Sequence, residues 1–238
     1  MPTKRQGKIA GLLQRYKFED LAEAIATPKA SRTAHLTAFV DRERKGRWKS
    51  YKGFRAAIPD IVGVQRGLDP GMKDIDEICE GMRGHRDDLG FNVEAARVLF
   101  DYVRKPGVSA YDDHPRYSLK MAPDRRVTMD IQHHIVEGER GAFQYVYPRR
   151  TPLEGRAINV LLSLMHVNHV QGDYAEFDVE MIDLSCDHIL GPMGGLRLSE
   201  ERNPQTHRLE AADLISREEL NEEASNVYEV LLSIHSGV

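Results

Sequence analysis

The rest of the chain is organised around residues 18–55, which read FEDLAEAIATPKASRTAHLTAFVDRERKGRWKSYKGFR. The first nine residues of this stretch predict a short amphipathic helix, because Leu21, Ala22 and Ile25 fall on one helical face. The dipeptide Thr27-Pro28 ends that helix, since the residue before a proline avoids the helical region of backbone space. The stretch therefore opens with a helix and a tight turn.

A second, longer helix is predicted after the turn. Ser31 is a suitable N-cap for a helix over residues 32–44. The buried stripe of that helix consists of Leu36, Phe39 and Val40. Beyond it, residues 42–55 contain seven lysines and arginines against one acid, Glu43. Aromatic side chains lie among these cations at Trp48, Tyr51 and Phe54. Phosphate backbones attract such a mixture of cations and planar side chains, so the run favours a nucleic-acid contact.

Two short helices joined by a tight turn, the second followed by basic residues, resemble the helix-turn-helix unit of transcriptional regulators. The resemblance covers residues 21–39 and is carried by Leu21-Ala22, Ile25, Lys29, Ser31 and His35-Leu36. The chain departs from the pattern at Thr27-Pro28, where such regulators usually carry Gly-Val, and at Arg32, near a position that is usually apolar. The resemblance implies a dimer that binds paired half-sites in duplex DNA, and an ordinary helical hairpin is the alternative.

The charge distribution also favours a polyanionic partner. Residues 1–55 contain 14 lysines and arginines against five acids, whereas the remaining residues contain 19 against 32. Such asymmetry is typical of an arm or domain that meets a polyanion, although basic helices packed on an acidic surface of the same fold explain it too. The predicted DNA-binding residues are Lys29, Ser31, Arg32, Thr33, His35, Arg42, Arg44, Lys45, Arg47, Trp48, Lys49, Lys52 and Arg55.

Composition places the chain among globular proteins. It has 238 residues, 41% of them hydrophobic and 29% charged, which suits one large domain or two small ones. No apolar run approaches the roughly 20 residues that span a bilayer, and the basic N-terminus lacks the apolar core of a secretory signal. The two cysteines, Cys79 and Cys186, form no disulfide framework and no metal-type pair. We therefore expect a cytoplasmic protein.

The remaining pattern predicts an α+β protein. Residues 72–82 and a helix capped by Asn92 complete a helical N-terminal half, and residues 105–118 form a loop. Alternating residues from 127 to 135 and from 142 to 147 then predict a β-hairpin, and residues 157–184 are interpreted as a second one. The alternative for the start of this second segment is a helix from Pro152, because Thr151-Pro-Leu-Glu154 has capping-box spacing, although Gly155 disfavours it. Residues 187–206 are predicted to be a loop, and a helix follows Ser216. We expect an antiparallel sheet covered by that C-terminal helix.

These boundaries divide the chain into three predicted parts. Residues 1–66 form the basic DNA-binding region, residues 67–118 a helical connector, and residues 119–238 a sensing or dimerisation domain. The chain contains no Walker A loop, dinucleotide fingerprint or G-x-S-x-G motif. The histidines of the second half match no metal-ligand spacing, so we expect neither a metal nor a cofactor. An aromatic strand face provides a candidate ligand pocket of Phe143, Tyr145, Tyr147 and Tyr174.

The sequence thus predicts a transcriptional regulator that binds double-stranded DNA as a homodimer and responds to a small-molecule signal. We assign no catalytic residue. Two alternatives stay open. One is a small-molecule enzyme with its site in the β half around the histidines, in which the basic N-terminus is merely structural, and the other is a protein-interaction module in a larger assembly.

Overall fold

The computed structural model describes residues 17–44, 51–65, 73–82, 86–104, 107–122, 125–129, 131–191 and 195–236. The helices in these ranges are α1 (Phe18–Ala26), α2 (Lys29–Arg44), α3 (Lys52–Val62), α4 (Ile75–Gly81), α5 (Arg86–Val103), α6 (Gly155–His169) and α7 (Arg217–Ser236). The strands are β1 (Val108–Tyr111), β2 (Tyr117–Ala122), β3 (Arg125–Met129), β4 (His133–Glu137), β5 (Arg140–Tyr147), β6 (Asp178–Asp183), β7 (Cys186–Leu190), β8 (Leu196–Arg202) and β9 (Gln205–Arg208). This order confirms the predicted α+β class, with a helical N-terminal half and a helix after the last strand.

A five-stranded sheet in the order β1-β4-β5-β6-β9 forms the centre of the fold. Its neighbouring strands are antiparallel except for β5 and β6, which are parallel. Parallel neighbours need a long crossover connection, and the 15-residue helix α6 provides it. The predicted β-hairpin over residues 157–184 was therefore wrong. Helix α6 is buried on most sides, so residues 157–170 are apolar on both faces. Such a run has no clear hydrophobic periodicity, and the sequence therefore does not distinguish a helix from a strand there.

The two faces of the sheet pack against different helices. Along β5, Phe143, Tyr145 and Tyr147 lie in one apolar core with residues of α1, α2, α6, α7 and the β2–β3 hairpin. Val146 belongs to a second core on the opposite face, together with residues of α3, α4 and α5. The first core thus joins the N-terminal helices to the C-terminal half of the chain. The domain boundaries that we place after residues 66 and 118 remain predictions.

Three local predictions in the helical half need correction. Helix α2 begins at Lys29 rather than after Ser31, so Ser31 lies inside its first turn. Asn92 does not cap a helix: it lies within α5, where its side chain accepts a hydrogen bond from the Phe54 amide at 2.7 Å. The predicted loop 105–118 contains β1, which pairs with β4. For Asn92 and for β1, a contact with a distant part of the chain decides the local structure.

Two predictions in the β half also differ from the structure. The predicted continuous strand 127–135 is divided into β3 and β4, so Val127 lies in the first core while Ile135 lies on the opposite face with Ala110 and Ala142. The predicted loop 187–206 contains the β7–β8 hairpin, a two-stranded sheet of its own. Among the described helices, none combines the length and apolarity needed to cross a bilayer.

Candidate interaction surface

Arg32, predicted to contact DNA bases, is buried, with 2% of its surface exposed. Its Nε donates to the Ala24 carbonyl at 3.0 Å, and its Nη2 donates to the Ile25 carbonyl at 3.0 Å. These carbonyls lie at the end of α1, where the last turn leaves backbone acceptors without helical partners. The same guanidinium forms an ion pair with Glu223 of α7 at 2.6 Å. Arg32 therefore joins α1, α2 and α7 and presents no surface to a base.

The other predicted DNA-binding residues are scattered between the surface and the interior. Lys29 is exposed and forms an ion pair with Glu223 at 3.1 Å. His35 is half-buried, and burial together with the nearby Arg42 lowers its pKa. Side chains on the surface are those of Ser31, Thr33, Arg42 and Lys52. The side chain of Arg44 and the residues Lys45, Arg47, Trp48 and Lys49 lie outside the part that the structure describes.

Arg55 belongs to a buried charged cluster around Glu19 of α1. Its Nη2 lies 2.7 Å from a carboxylate oxygen of Glu19, and Arg149 lies 3.3 Å from the same oxygen. The Tyr145 hydroxyl donates a hydrogen bond to the other carboxylate oxygen. Burial by itself raises the pKa of Glu19, but Arg55, Arg149 and the Tyr145 hydroxyl outweigh burial and lower it. The cluster ties α1, α3 and β5 together, and Tyr145 serves it rather than lining an open pocket.

The predicted aromatic pocket is largely filled by its own side chains. Phe143, Tyr145 and Tyr147 are each at most 1% exposed. Tyr174 is half-buried and packs on Phe143 with a ring-centre distance of 5.2 Å. A ligand-binding role for these four residues remains a prediction, and the three buried rings expose almost no surface to a ligand.

Three histidines lie beside these aromatic rings. His134 and His114 approach each other with 3.5 Å between their Nδ1 atoms, and the His169 ring centre is 6.3 Å from that of His114. Burial lowers the pKa of all three, that of His169 to about 4. Among the described residues no group of three or more His, Cys, Asp or Glu side chains is arranged to hold a metal ion.

The β7–β8 hairpin is firmly anchored at its base. Arg202, at the end of β8, is buried and its Nη1 donates to the carbonyls of Pro148 and Leu184 at 2.8 and 2.7 Å. Its Nε lies 3.1 Å from the Glu94 carboxylate of α5. On the other strand, the Cys186 amide donates to the Arg150 carbonyl at 2.8 Å. Both strands are thus fixed to the main body at the end where they leave it.

The opposite end of the hairpin carries two exposed leucines. Leu190 ends β7 and Leu196 begins β8, and the two residues are directly paired across the strands. They are 76% and 73% exposed, whereas the next large apolar side chain in the described part, Leu214, is 40% exposed. Single exposed leucines are ordinary, but an adjacent pair on a fixed support is typical of an interaction site. We call Leu190 and Leu196 the leucine tip.

Sequence reasoning missed the leucine tip although a signal was present. Two runs with apolar residues, 186–190 and 196–202, flank a glycine-containing connection, which is a hairpin pattern. The glycines at 191, 194 and 195 led instead to the interpretation of a loop. The pairing of Leu190 with Leu196 depends on the strand register, which sequence alone does not determine here.

Comparison with known proteins identifies the family. A family model described as "Sliding clamp-binding bacterial toxin SocB" matches residues 19–237, a range that contains both the N-terminal helices and the hairpin. No curated protein and no solved structure matches the chain. No helix-turn-helix family matches either, so the predicted transcriptional regulator and its double-stranded DNA partner were wrong. The match supports the alternative of a protein-interaction module.

Proposed function

The chain belongs to the SocB family of sliding clamp-binding bacterial toxins, and from this membership we propose that it is a toxin that binds a bacterial sliding clamp. The observation that carries the proposal is the extent of the match, residues 19–237 of 238. A protein that binds the clamp meets it in the cytoplasm, so we propose a cytoplasmic location as well.

Within the described part of the chain, the leucine tip is the surface best suited to this contact. Burial of apolar area against a partner is favourable by roughly 25 cal/mol per Å², and Leu190 and Leu196 keep most of their surface free. The anchoring of Arg202 and Cys186 holds the hairpin in place before binding. A pre-organised contact loses less conformational entropy on association than a flexible one. We therefore propose that the leucine tip enters an apolar pocket on the clamp.

The experiment that tests the function measures binding of the full chain to a purified bacterial sliding clamp by titration calorimetry. We expect saturable binding in the range of specific protein complexes, with a dissociation constant of about 1 μM or below. Expression of the chain in a bacterium that carries the same clamp should arrest growth. Absence of binding at clamp concentrations of about 100 μM would reject the clamp as its partner.

A further inference from the structure

A cavity of about 360 Å³ lies on the face of the central sheet opposite to the aromatic core. It is bounded by the ends of α3 and α5 and by strands β1, β4, β5, β6 and β9. Its apolar wall consists of Val62, Val103, Val108, Ala110, Ile135 and Ile182. Small-molecule sites have volumes of roughly 300–1,000 Å³ and are mostly apolar with a few placed polar groups. The size of this cavity therefore suits a small ligand.

The polar side of the cavity is organised around the buried carboxylate of Glu180. The Gln144 side-chain amide donates to Glu180 Oε2 at 2.7 Å, and Arg208 Nε donates to Oε1 at 2.9 Å. Arg140 donates to the same Oε1 oxygen. Burial by itself raises the pKa of Glu180, but the hydrogen bonds from Gln144, Arg140 and Arg208 lower it. The carboxylate is ionised, and its acceptor positions are taken by protein donors.

A second layer fixes the orientation of Gln144. His133 is fully buried, and burial lowers its pKa to about 4, so the imidazole is neutral at pH 7. Its Nε2 lies 2.9 Å from Gln144 Oε1. A neutral Nε2–H that donates to the amide oxygen leaves the amide nitrogen to face Glu180. The polar side of the cavity is therefore held in one arrangement before any ligand arrives.

Hydrogen-bond donors remain after Glu180 is satisfied. Arg208 uses only Nε, and Arg140 uses Nε and Nη2, so Arg208 Nη1, Arg208 Nη2 and Arg140 Nη1 donate no hydrogen bond within the described part of the chain. Arg104 also lines the cavity, and its buried Nε has no partner among the described residues. Its guanidinium is held by the Lys73 carbonyl and lies 3.8 Å from the Phe100 ring centre.

The lining thus has an excess of hydrogen-bond donors. Three arginines, Arg104, Arg140 and Arg208, line the cavity together with two acids, Glu137 and Glu180, and Arg140 also pairs with Asp178 outside the lining at 2.9 Å. Guanidinium groups pair preferentially with carboxylate and phosphate oxygens, often through two parallel hydrogen bonds. A ligand that matches both sides of the cavity needs an anionic head and an apolar body.

We propose that this cavity binds a small organic anion, a carboxylate or a phosphate monoester whose apolar part lies against the valine and isoleucine wall. The site goes beyond the proposed clamp contact, because it involves neither the leucine tip nor any other part of the hairpin. An uncharged analogue leaves the free guanidinium donors unpaired, and an ammonium analogue is repelled by them.

The test uses the full-length chain and four small probes. Hexanoate and phenyl phosphate are the anions, and 1-hexanol and hexylammonium are the matched controls without negative charge. Binding is measured by titration calorimetry and by the methyl NMR signals of Val108, Ile135 and Ile182. We expect one or both anions to bind and to shift these signals, and the head group that binds more tightly distinguishes a carboxylate from a phosphate site. Failure of both anions to bind, or equal binding of 1-hexanol, overturns the proposal.

A variant pair assigns the binding to the arginines. Arg208→Met should weaken binding of the anion by roughly tenfold or more, the effect of losing a charge-assisted pair. Arg126→Met is the control, because Arg126 is exposed on β3 and does not line the cavity. Val108→Phe, which fills the cavity from the edge strand, should abolish binding and serves if Arg208→Met does not fold. Unchanged binding in either Arg208→Met or Val108→Phe, each compared with Arg126→Met, overturns the assignment.

Discussion

In the N-terminal helices α2 and α3 the prominent side chains are cations, and in the β7–β8 hairpin they are leucines. Arg32 of α2 is 2% exposed and Arg55 of α3 is half-buried in an ion pair with buried Glu19, whereas Leu190 and Leu196 of the hairpin are among the most exposed apolar side chains described. The comparison reverses the usual expectation for charged and apolar residues. The comparison teaches that the chemistry of a side chain indicates the environment it favours. Its neighbours in the tertiary structure determine the environment in which it lies.

The reversal has a physical cause in each region. A buried guanidinium is tolerated only when carboxylates and carbonyls satisfy it, and Arg32 finds Glu223 and Asn226, the latter 194 residues away in sequence. The leucines have no such neighbours, because the hairpin forms a separate two-stranded sheet outside the five-stranded one. Four variants and conditions test this contrast, in order of decreasing expected effect.

The largest effect of a single substitution at neutral pH is expected for Arg32→Ala. Removing the guanidinium leaves the Ala24 and Ile25 carbonyls without their buried donor and leaves Glu223 paired, among the described residues, with Lys29 alone. Because each unsatisfied buried acceptor costs about 1–3 kcal/mol, we expect a loss of about 3–5 kcal/mol in the free energy of unfolding. Chemical denaturation should report this loss, and the exposed neighbour variant Thr33→Ala should remain within about 0.5 kcal/mol of the parent. Equal stability of Arg32→Ala and Thr33→Ala would show that Arg32 is a surface residue and that the contrast with the hairpin does not exist.

The second effect is a loss of stability in acid caused by buried histidines. The pKa values of His133 and His169 are lowered by burial from 6.5 to about 4, so both are neutral in the folded state above that range. The unfolded chain takes up these protons first. Stability is therefore complete above about pH 6.5 and is lost as the pH falls toward about 4, by about 1.4 kcal/mol per pH unit for each histidine.

Denaturation midpoints measured across that pH window check the prediction. His169→Gln should flatten the pH dependence, whereas His188→Gln, on the exposed part of the hairpin, should leave it unchanged. If stability depended on pH with the same slope in both variants, the assignment of the acid destabilisation to buried histidines would be wrong. The control thus compares a buried histidine of the core with an exposed one of the hairpin.

The third effect concerns binding rather than stability. The double variant Leu190→Ser, Leu196→Ser should keep its unfolding free energy within about 0.5 kcal/mol, because exposed positions contribute little to the fold. Its affinity for the sliding clamp should fall by roughly tenfold or more, since each buried leucine contributes about 1.5–3 kcal/mol. Leu214→Ser is the matched control away from the tip.

These binding measurements distinguish a failure of the proposed function from a failure of the proposed contact site. If the parent chain does not bind the clamp, the proposed function is wrong. If the parent binds and the double variant binds equally well, the function stands and the contact lies elsewhere on the surface.

The smallest effect is expected for Ser31→Ala. As an N-cap, Ser31 would contribute about 1 kcal/mol, but α2 begins at Lys29 and Ser31 is an exposed residue of its first turn. We expect a change within about 0.5 kcal/mol in thermal or chemical denaturation. A loss of about 1 kcal/mol or more would indicate that Ser31 caps the helix and that α2 begins after Ser31 rather than at Lys29.

Several elements were predictable because their signals are local. The helix Phe18–Ala26 has an apolar face and a proline stop, and the structure confirms it. The helix after Ser216 is also confirmed, and the Ser216 hydroxyl accepts a hydrogen bond from the Glu219 amide at its start. In contrast, α6 is apolar on both faces and was interpreted as a strand, since periodicity does not separate a buried helix from a buried strand.

The sequence by itself determined the α+β class, the helical N-terminal half, the turn at Thr27-Pro28 and the concentration of positive charge near the N-terminus. These follow from propensity, capping and composition, which act within a few residues. Only the tertiary structure decided that Arg32 is buried and Arg55 half-buried in ion pairs and that Leu190 lies beside Leu196 at an exposed tip. Those outcomes depend on partners far away in the chain and on the strand register, and the energy of a charged or apolar group is set by the neighbours it finally has.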